Sequence, residues 1–234
     1  MKLSKSQLFL IFIFFIILIF SYPLKNGDYL FQRSFFSILI GSYSEINILE
    51  ISQAIILFYT IYVTLTIRKK IFHEYNLSSL LLRLSLLIFL FYEEISFLTE
   101  GLVNFTSDFN MRNQLNIHNA FFGGYMVINN FQLPFTSYSF NINLYTFVLI
   151  FSTLFIGYGR YINILKRFDF FFLEKKYSFF FLLYFLNFIF GFFLSRLNIL
   201  FSHSFIYPEL LESFLYIVLL FDTLYKKKNL IGRK

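Results

Sequence analysis

Apolar and polar residues come in blocks along this chain. Phe, Leu and Ile dominate residues 8–22, 47–67, 77–98, 140–159, 177–195 and 208–225, and Lys and Arg gather in the intervals between them. Runs of this length with few charges predict helices long enough to span a bilayer. Six such spans define an all-α integral membrane fold in one domain, residues 1–234, with one long outer loop at residues 99–139. The second run stops at Arg68-Lys69-Lys70 and the sixth at Lys226-Lys227-Lys228. Pro208 suits the first turn of the sixth helix, where its missing N–H costs nothing. The third run holds Arg83 six residues in, near enough to its end for the side chain to snorkel toward water. The first run is short and resembles a signal peptide. No small-x-small site follows it, so it reads as an uncleaved span, with a cleaved signal as the alternative.

The charge pattern fixes an orientation. With the N-terminus inside, the inner segments collect Lys2, Lys5, Arg68, Lys69, Lys70, Arg160, Lys166, Arg167, Lys175, Lys176, Lys226, Lys227, Lys228, Arg233 and Lys234. The outer segments hold only Lys25, Arg33, Arg112 and Arg196. Such an asymmetry follows the positive-inside rule and predicts that both termini are cytoplasmic. It also explains the net charge of +7 without nucleic acid. At 58% hydrophobic and 14% charged, the composition excludes an ordinary soluble domain. The absence of Cys excludes disulfides and thiolate metal sites. The expected location is the bacterial plasma membrane, with an organelle membrane as the alternative; the expected partners are bilayer lipid and a lipid-linked substrate or other membrane subunits.

In this orientation the polar residues collect at the outer face. Glu50 and Gln53 start the second span, Glu93, Glu94 and Ser96 end the third, and Glu209 and Glu212 start the sixth. Each of the pairs Glu50/Gln53, Glu93/Ser96 and Glu209/Glu212 is spaced by three, which puts its members on one helix face. Three polar faces at one depth are best buried against each other, because lipid exposure is costly. The outer loop adds Asn113, Gln114, Asn116, His118 and Asn119. Carboxylates crowded in a poorly solvated place either share a proton or hold a cation. Two chemistries follow: a proton donor–acceptor pair, or a divalent metal held by Glu94, His118 and Glu209 that activates a water. The candidate catalytic residues are Glu93, Glu94, Ser96, His118 and Asn119. The plainer readings are solvated interface residues for Glu50 and Glu212, a complement to the helix dipole for Glu209, and loop histidines for His73 and His203. Asp222 reads as a partner of its neighbouring lysines.

The elements Glu93-Glu94-x-Ser96 and Ile117-His118-Asn119 together resemble a family of uncharacterised bacterial multi-pass membrane proteins. In that family a Glu-Glu-x-Ser element ends one span, a Leu-His-Asn element follows a short loop, and a Glu-containing span comes near the C-terminus. Glu209 and Glu212 stand at the third position. Phe97-Leu98-Thr99 replaces the usual Trp-Gly-Gln, and Asn116 stands where an acid is common. The resemblance implies a site and leaves its chemistry open. The first expectation is a hydrolase or transferase acting on a lipid-linked substrate. Its rivals are a non-catalytic subunit or assembly factor of a membrane complex, marked by a closed hydrogen-bonded knot, and a small proton-coupled transporter. The transporter fits less well because the spans lack a midplane run of ionisable groups.

Overall fold

The computed structural model describes residues 4–21, 48–95, 127–132, 139–196 and 206–232, with side chains over 4–16, 50–95, 151–186 and 212–232. Within these residues the fold is helical apart from one short ribbon. Six long helices are present: α1 (Lys5–Ser21), α2 (Ile48–Thr66), α4 (Leu77–Glu94), α5 (Leu144–Tyr158), α6 (Lys175–Arg196) and α7 (Ile206–Gly232). A seven-residue helix, α3 (Arg68–Glu74), follows α2 after a 60° bend. Between α3 and α4, Asn76 caps the next helix, its side chain accepting from the Ser78 amide at 2.9 Å. Short 3-10 turns, Gly159–Tyr161 and Asn163–Phe168, lead from α5 toward α6.

The ribbon lies where the apolar pattern suggested a loop and the start of a helix. Strand β1 (Val127–Gln132) pairs antiparallel with β2 (Ser139–Asn143), matching Phe131 with Phe140 and Asn130 with Asn141, with a bulge between Val127 and Asn129. Ser139-Phe-Asn-Ile-Asn alternates polar and apolar residues, the two-residue period of a strand, and Asn is a weak helix former. Helix begins only at Leu144, where the apolar run becomes continuous.

Helix directions follow from the cross-contacts. α1 is antiparallel to α7, with Phe14 against Phe214 (5.3 Å between ring centres) and Phe9 against Phe221 (5.7 Å). α6 is also antiparallel to α7, through Phe180 with Phe214 and Tyr177 with Tyr225. α4 is antiparallel to it as well, meeting Tyr216 through Glu94 and Thr223 through Arg83. α2 runs parallel to α7, touching it at Ser213 through Gln53, while Lys70, just past α2, reaches Leu230 O. α7 is thus the central pole. Its Phe214, Leu215, Val218 and Leu219 are buried with Leu10, Leu57, Leu87, Phe180 and Tyr184 in the main core, each fully buried large side chain contributing about 1.5–3 kcal/mol. A smaller core joins Ile67, Ile71, Leu80, Phe170 and Leu230 at the end where Lys70, Lys176 and Lys226 lie.

The outward flanks of the helices are apolar too. Phe12, Ile55, Phe58, Leu81, Phe151 and Phe179 are each more than half exposed. Among the described residues no single helix is long and apolar enough to cross a membrane, while α2 and α3 together, as a bent pair, meet that measure. In α4 and α7 charges interrupt the apolar run (Arg83, Glu93 and Glu94 in α4; Glu212, Asp222 and the lysines from Lys226 in α7), while α1 and α5 have only 17 and 15 residues.

Candidate functional site

Polar side chains meet in two layers. The first stands at the end of α4, where Glu94 is 8% exposed. The Tyr216 hydroxyl donates to Glu94 Oε1 at 2.6 Å. Beside it, Gln53 Nε2 of α2 donates to Ser213 Oγ of α7 at 2.9 Å, with Gln53 fully buried. Ser213 and Tyr216 are three residues apart, so one face of α7 serves both neighbours. Glu50, Glu93 and Glu212 are half-buried, and Tyr184 of α6 lies within electrostatic range of Glu212. Side chains from α2, α4 and α7 therefore meet at one depth, opposite the basic end. Tyr216 locks the Glu94 carboxyl in place, and a carboxyl so held can accept or release a proton at a fixed point.

Ser96, His118 and Asn119 lie outside the described residues, as do Asn113, Gln114, Asn116 and His203. Glu209 stands in the first turn of α7, and its side chain is outside them as well. Among the described residues no three His, Cys, Asp or Glu side chains stand close enough to hold a metal ion. Two of the three side chains of the expected metal trio, His118 and Glu209, are not among them.

The second layer lies about 16 Å further along α4, eleven residues before Glu94. Arg83 does not snorkel to water: it is 1% exposed. Its Nη2 lies 2.9 Å from Asp222 Oδ2 and donates to Thr223 Oγ1 at 2.7 Å, while Nη1 donates to Phe171 O at 3.2 Å. These partners explain the correction, because a guanidinium engaged through both of its Nη nitrogens has its charge answered inside and gains little by reaching outward. Lys226 Nζ lies 2.9 Å from the same Asp222 oxygen and donates to the carbonyls of Phe170 (2.9 Å) and Phe172. Asp222 Oδ1 accepts the Glu174 amide at 2.8 Å, and Ser79 Oγ accepts that of Phe171 at 2.8 Å.

The segment Phe170–Leu173 thus runs through the interior outside any helix: the Phe171 amide closes a turn on Phe168 O (2.8 Å) and the Leu173 amide donates to Ile156 O (3.1 Å), while its carbonyls face side chains. Buried backbone needs partners, and Arg83, Lys226, Ser79 and Asp222 supply them. From outside, Arg160 grips the same loop, donating to Glu174 Oε2 (3.0 Å), Leu173 O (3.0 Å) and Asp169 Oδ2 (2.9 Å). Burial works to lower the affinity of Arg160 for its proton, and Glu174 with Asp169 reverse that, so its pKa is raised. Lys226, the first residue past the apolar run of α7, is the surplus cation of two cations and one carboxylate. Burial pushes its pKa down to about 8; the Arg83 charge adds to this and Asp222 opposes it.

The pairing of Asp222 with a neighbouring lysine matches the sequence expectation. Tyr216 and Ser213 were missed, although Glu212, Ser213 and Tyr216 form a polar stripe on α7. Arg83 was missed as an interior group; the four-residue step from Asp222 to Lys226 was the available signal. No family model, curated protein or solved structure matches the chain.

Proposed function

We propose that the chain is a six-span membrane protein with its basic end in the cytoplasm, and that Glu94 is the acid–base group of a hydrolase or transferase acting on a lipid-linked or amphipathic substrate at the outer face. The observation that carries the site is the Glu94–Tyr216 contact: a buried carboxyl held at 2.6 Å beside a second polar pair, Gln53–Ser213. Carboxyls kept in poorly solvated, fixed positions are what general acid–base chemistry uses. Ser96, His118 and Asn119 would complete the site, and with a divalent metal Glu94, His118 and Glu209 would be its ligands. The exposed apolar flanks and the uneven distribution of Lys and Arg support the membrane reading.

The chain contains no Cys, so single cysteines report its topology directly. An impermeant maleimide should label S107C on intact cells and K69C only after permeabilisation; the reverse pattern would refute the orientation. For the chemistry, membrane lipids from cells expressing the native chain should differ from those of E94Q cells in one lipid-linked species. Identical lipid profiles at equal expression would count against the enzyme.

The knot around Asp222 favours a second reading, a non-catalytic subunit held rigid by its polar layers. In that case E94Q changes the chains that co-purify in detergent and leaves every lipid unchanged.

A further inference from the structure

The bend at Ile67 creates a hollow that neither polar layer uses. α3 turns 60° from α2, and Ile71, fully buried with Ile67, Leu80, Phe170 and Leu230, sets which face of the short helix points inward. Arg68 and Phe72 are four residues apart, as are Lys69 and His73, so the two pairs form neighbouring ridges along α3. All four are exposed. With Leu77 and Leu80 at the start of α4 they line a hollow of about 310 Å³. Among the described residues Arg68 and Lys69 form no ion pair, while Lys70 points elsewhere, to Leu230 O. Phe72 is 59% exposed at the rim.

Two uncompensated cations and a histidine above an apolar floor fit one kind of molecule, an anionic amphiphile. A soluble anion would use the cations and leave Phe72, Leu77 and Leu80 wet. A neutral lipid would use the floor and leave the cations unanswered. A short amphipathic helix at the cytoplasmic end of a span also lies where headgroups meet acyl chains. We propose that this hollow binds an anionic phospholipid, its phosphate between Arg68 and Lys69 and its acyl chains along Phe72, Leu77 and Leu80. The inference rests on the membrane reading above.

The chain has no Trp, so F72W places a single reporter at the rim. The full-length variant is reconstituted into phosphatidylcholine vesicles carrying increasing fractions of brominated phosphatidylglycerol or brominated phosphatidylcholine. Each basic residue near an anionic surface is worth about five-fold in affinity, so two predict half-quenching at an approximately 25-fold lower fraction of the phosphatidylglycerol. R68Q/K69Q in the same background should quench equally with both lipids. In case F72W disturbs the hollow, native mass spectrometry of the otherwise unaltered chain from mixed micelles should show phosphatidylglycerol retained, and R68Q/K69Q should lose it. Equal quenching of F72W by both lipids, with no selective retention by mass spectrometry, would overturn the proposal. So would a preference that survives R68Q/K69Q, or its abolition by millimolar glycerophosphate, which would assign the site to a free phosphate. A chain that alkaline carbonate strips from phosphatidylcholine vesicles would refute the membrane reading and this inference with it; a chain that stays inserted and shows no lipid preference refutes the lipid site alone.

Discussion

Replacing Asp222 with Asn tests the interior charge cluster most directly. The substitution keeps the shape and leaves one oxygen to accept the Glu174 amide, but it removes the charge lying 2.9 Å from both Arg83 and Lys226. Two buried cations then face an amide, with only the Glu174 carboxylate left to offset Lys226. Removing one partner of a buried ion pair costs about 3–5 kcal/mol, and with both cations at most 1% exposed there is little solvent to soften the loss. Lys226 can escape by shedding its proton and Arg83 cannot. The deficit of D222N should therefore narrow as the pH rises toward about 8, because the variant releases the Lys226 proton at lower pH than the native chain does. Replacing all three ions, as R83M/D222L/K226M, should not restore stability. It strips partners from the carbonyls of Phe170, Phe171 and Phe172 and from the Glu174 amide, four groups at about 1 kcal/mol each, or about 4 kcal/mol together. Urea unfolding in detergent, followed by tyrosine fluorescence, measures these losses, and tryptic cleavage at Lys166 and Arg167 reports on the loop itself. A triple variant as stable as the native chain would refute the view that these side chains serve buried backbone. A D222N deficit below about 1 kcal/mol would refute the charge argument.

Further expectations follow from the same packing. In the native chain Lys226 holds its proton less tightly folded than unfolded, so stability should rise with pH from about 8 toward the ordinary lysine value of 10.5; K226M, compared in the same denaturation series, should abolish that rise. Y216F should cost about 1.5–3 kcal/mol, since it removes a hydroxyl that donates to a buried carboxyl, and should lose most of that effect in an E94L background; an unchanged cost there would mean that the two groups are not coupled. G159A should cost about 1–3 kcal/mol in thermal unfolding, because its methyl would lie 2.7 Å from Cζ of the buried Phe172 ring. G157A should cost less, its nearest neighbour being Phe181 Cβ at 3.2 Å.

The helices were legible in the chain because long Leu, Ile and Phe runs leave few alternatives. That polar faces of α2, α4 and α7 would meet was legible in part: Gln53 came from its three-residue spacing to Glu50 and Glu94 from the polar cluster that ends its run, whereas Ser213 was not picked out. Nor was Tyr216, because it carries no mark in a sequence with 17 tyrosines. Arg83 misled for a physical reason. Sequence position says how far a cation lies from a helix end, but not whether a distant carboxylate and a stretch of non-helical backbone are waiting for it. The Phe170–Leu173 segment reads as part of a basic connection, and its burial depends on donors 87 or more residues before it and more than 50 after it. The ribbon of β1 and β2 was hidden because Ser139–Asn143 continues into an apolar run.

That dependence on both sides of the chain has a consequence for assembly. As the polypeptide is made, Arg83 and Ser79 are in place when Phe170 emerges, but Asp222 and Lys226 do not yet exist. Until α7 docks, the carbonyl of Phe172 lacks Lys226 and must remain hydrated, so water has to stay at the basic end while the preceding helices gather. Sealing that end then awaits α7, and nascent chains arrested before Asp222 should keep their Lys166–Arg167 stretch open to protease.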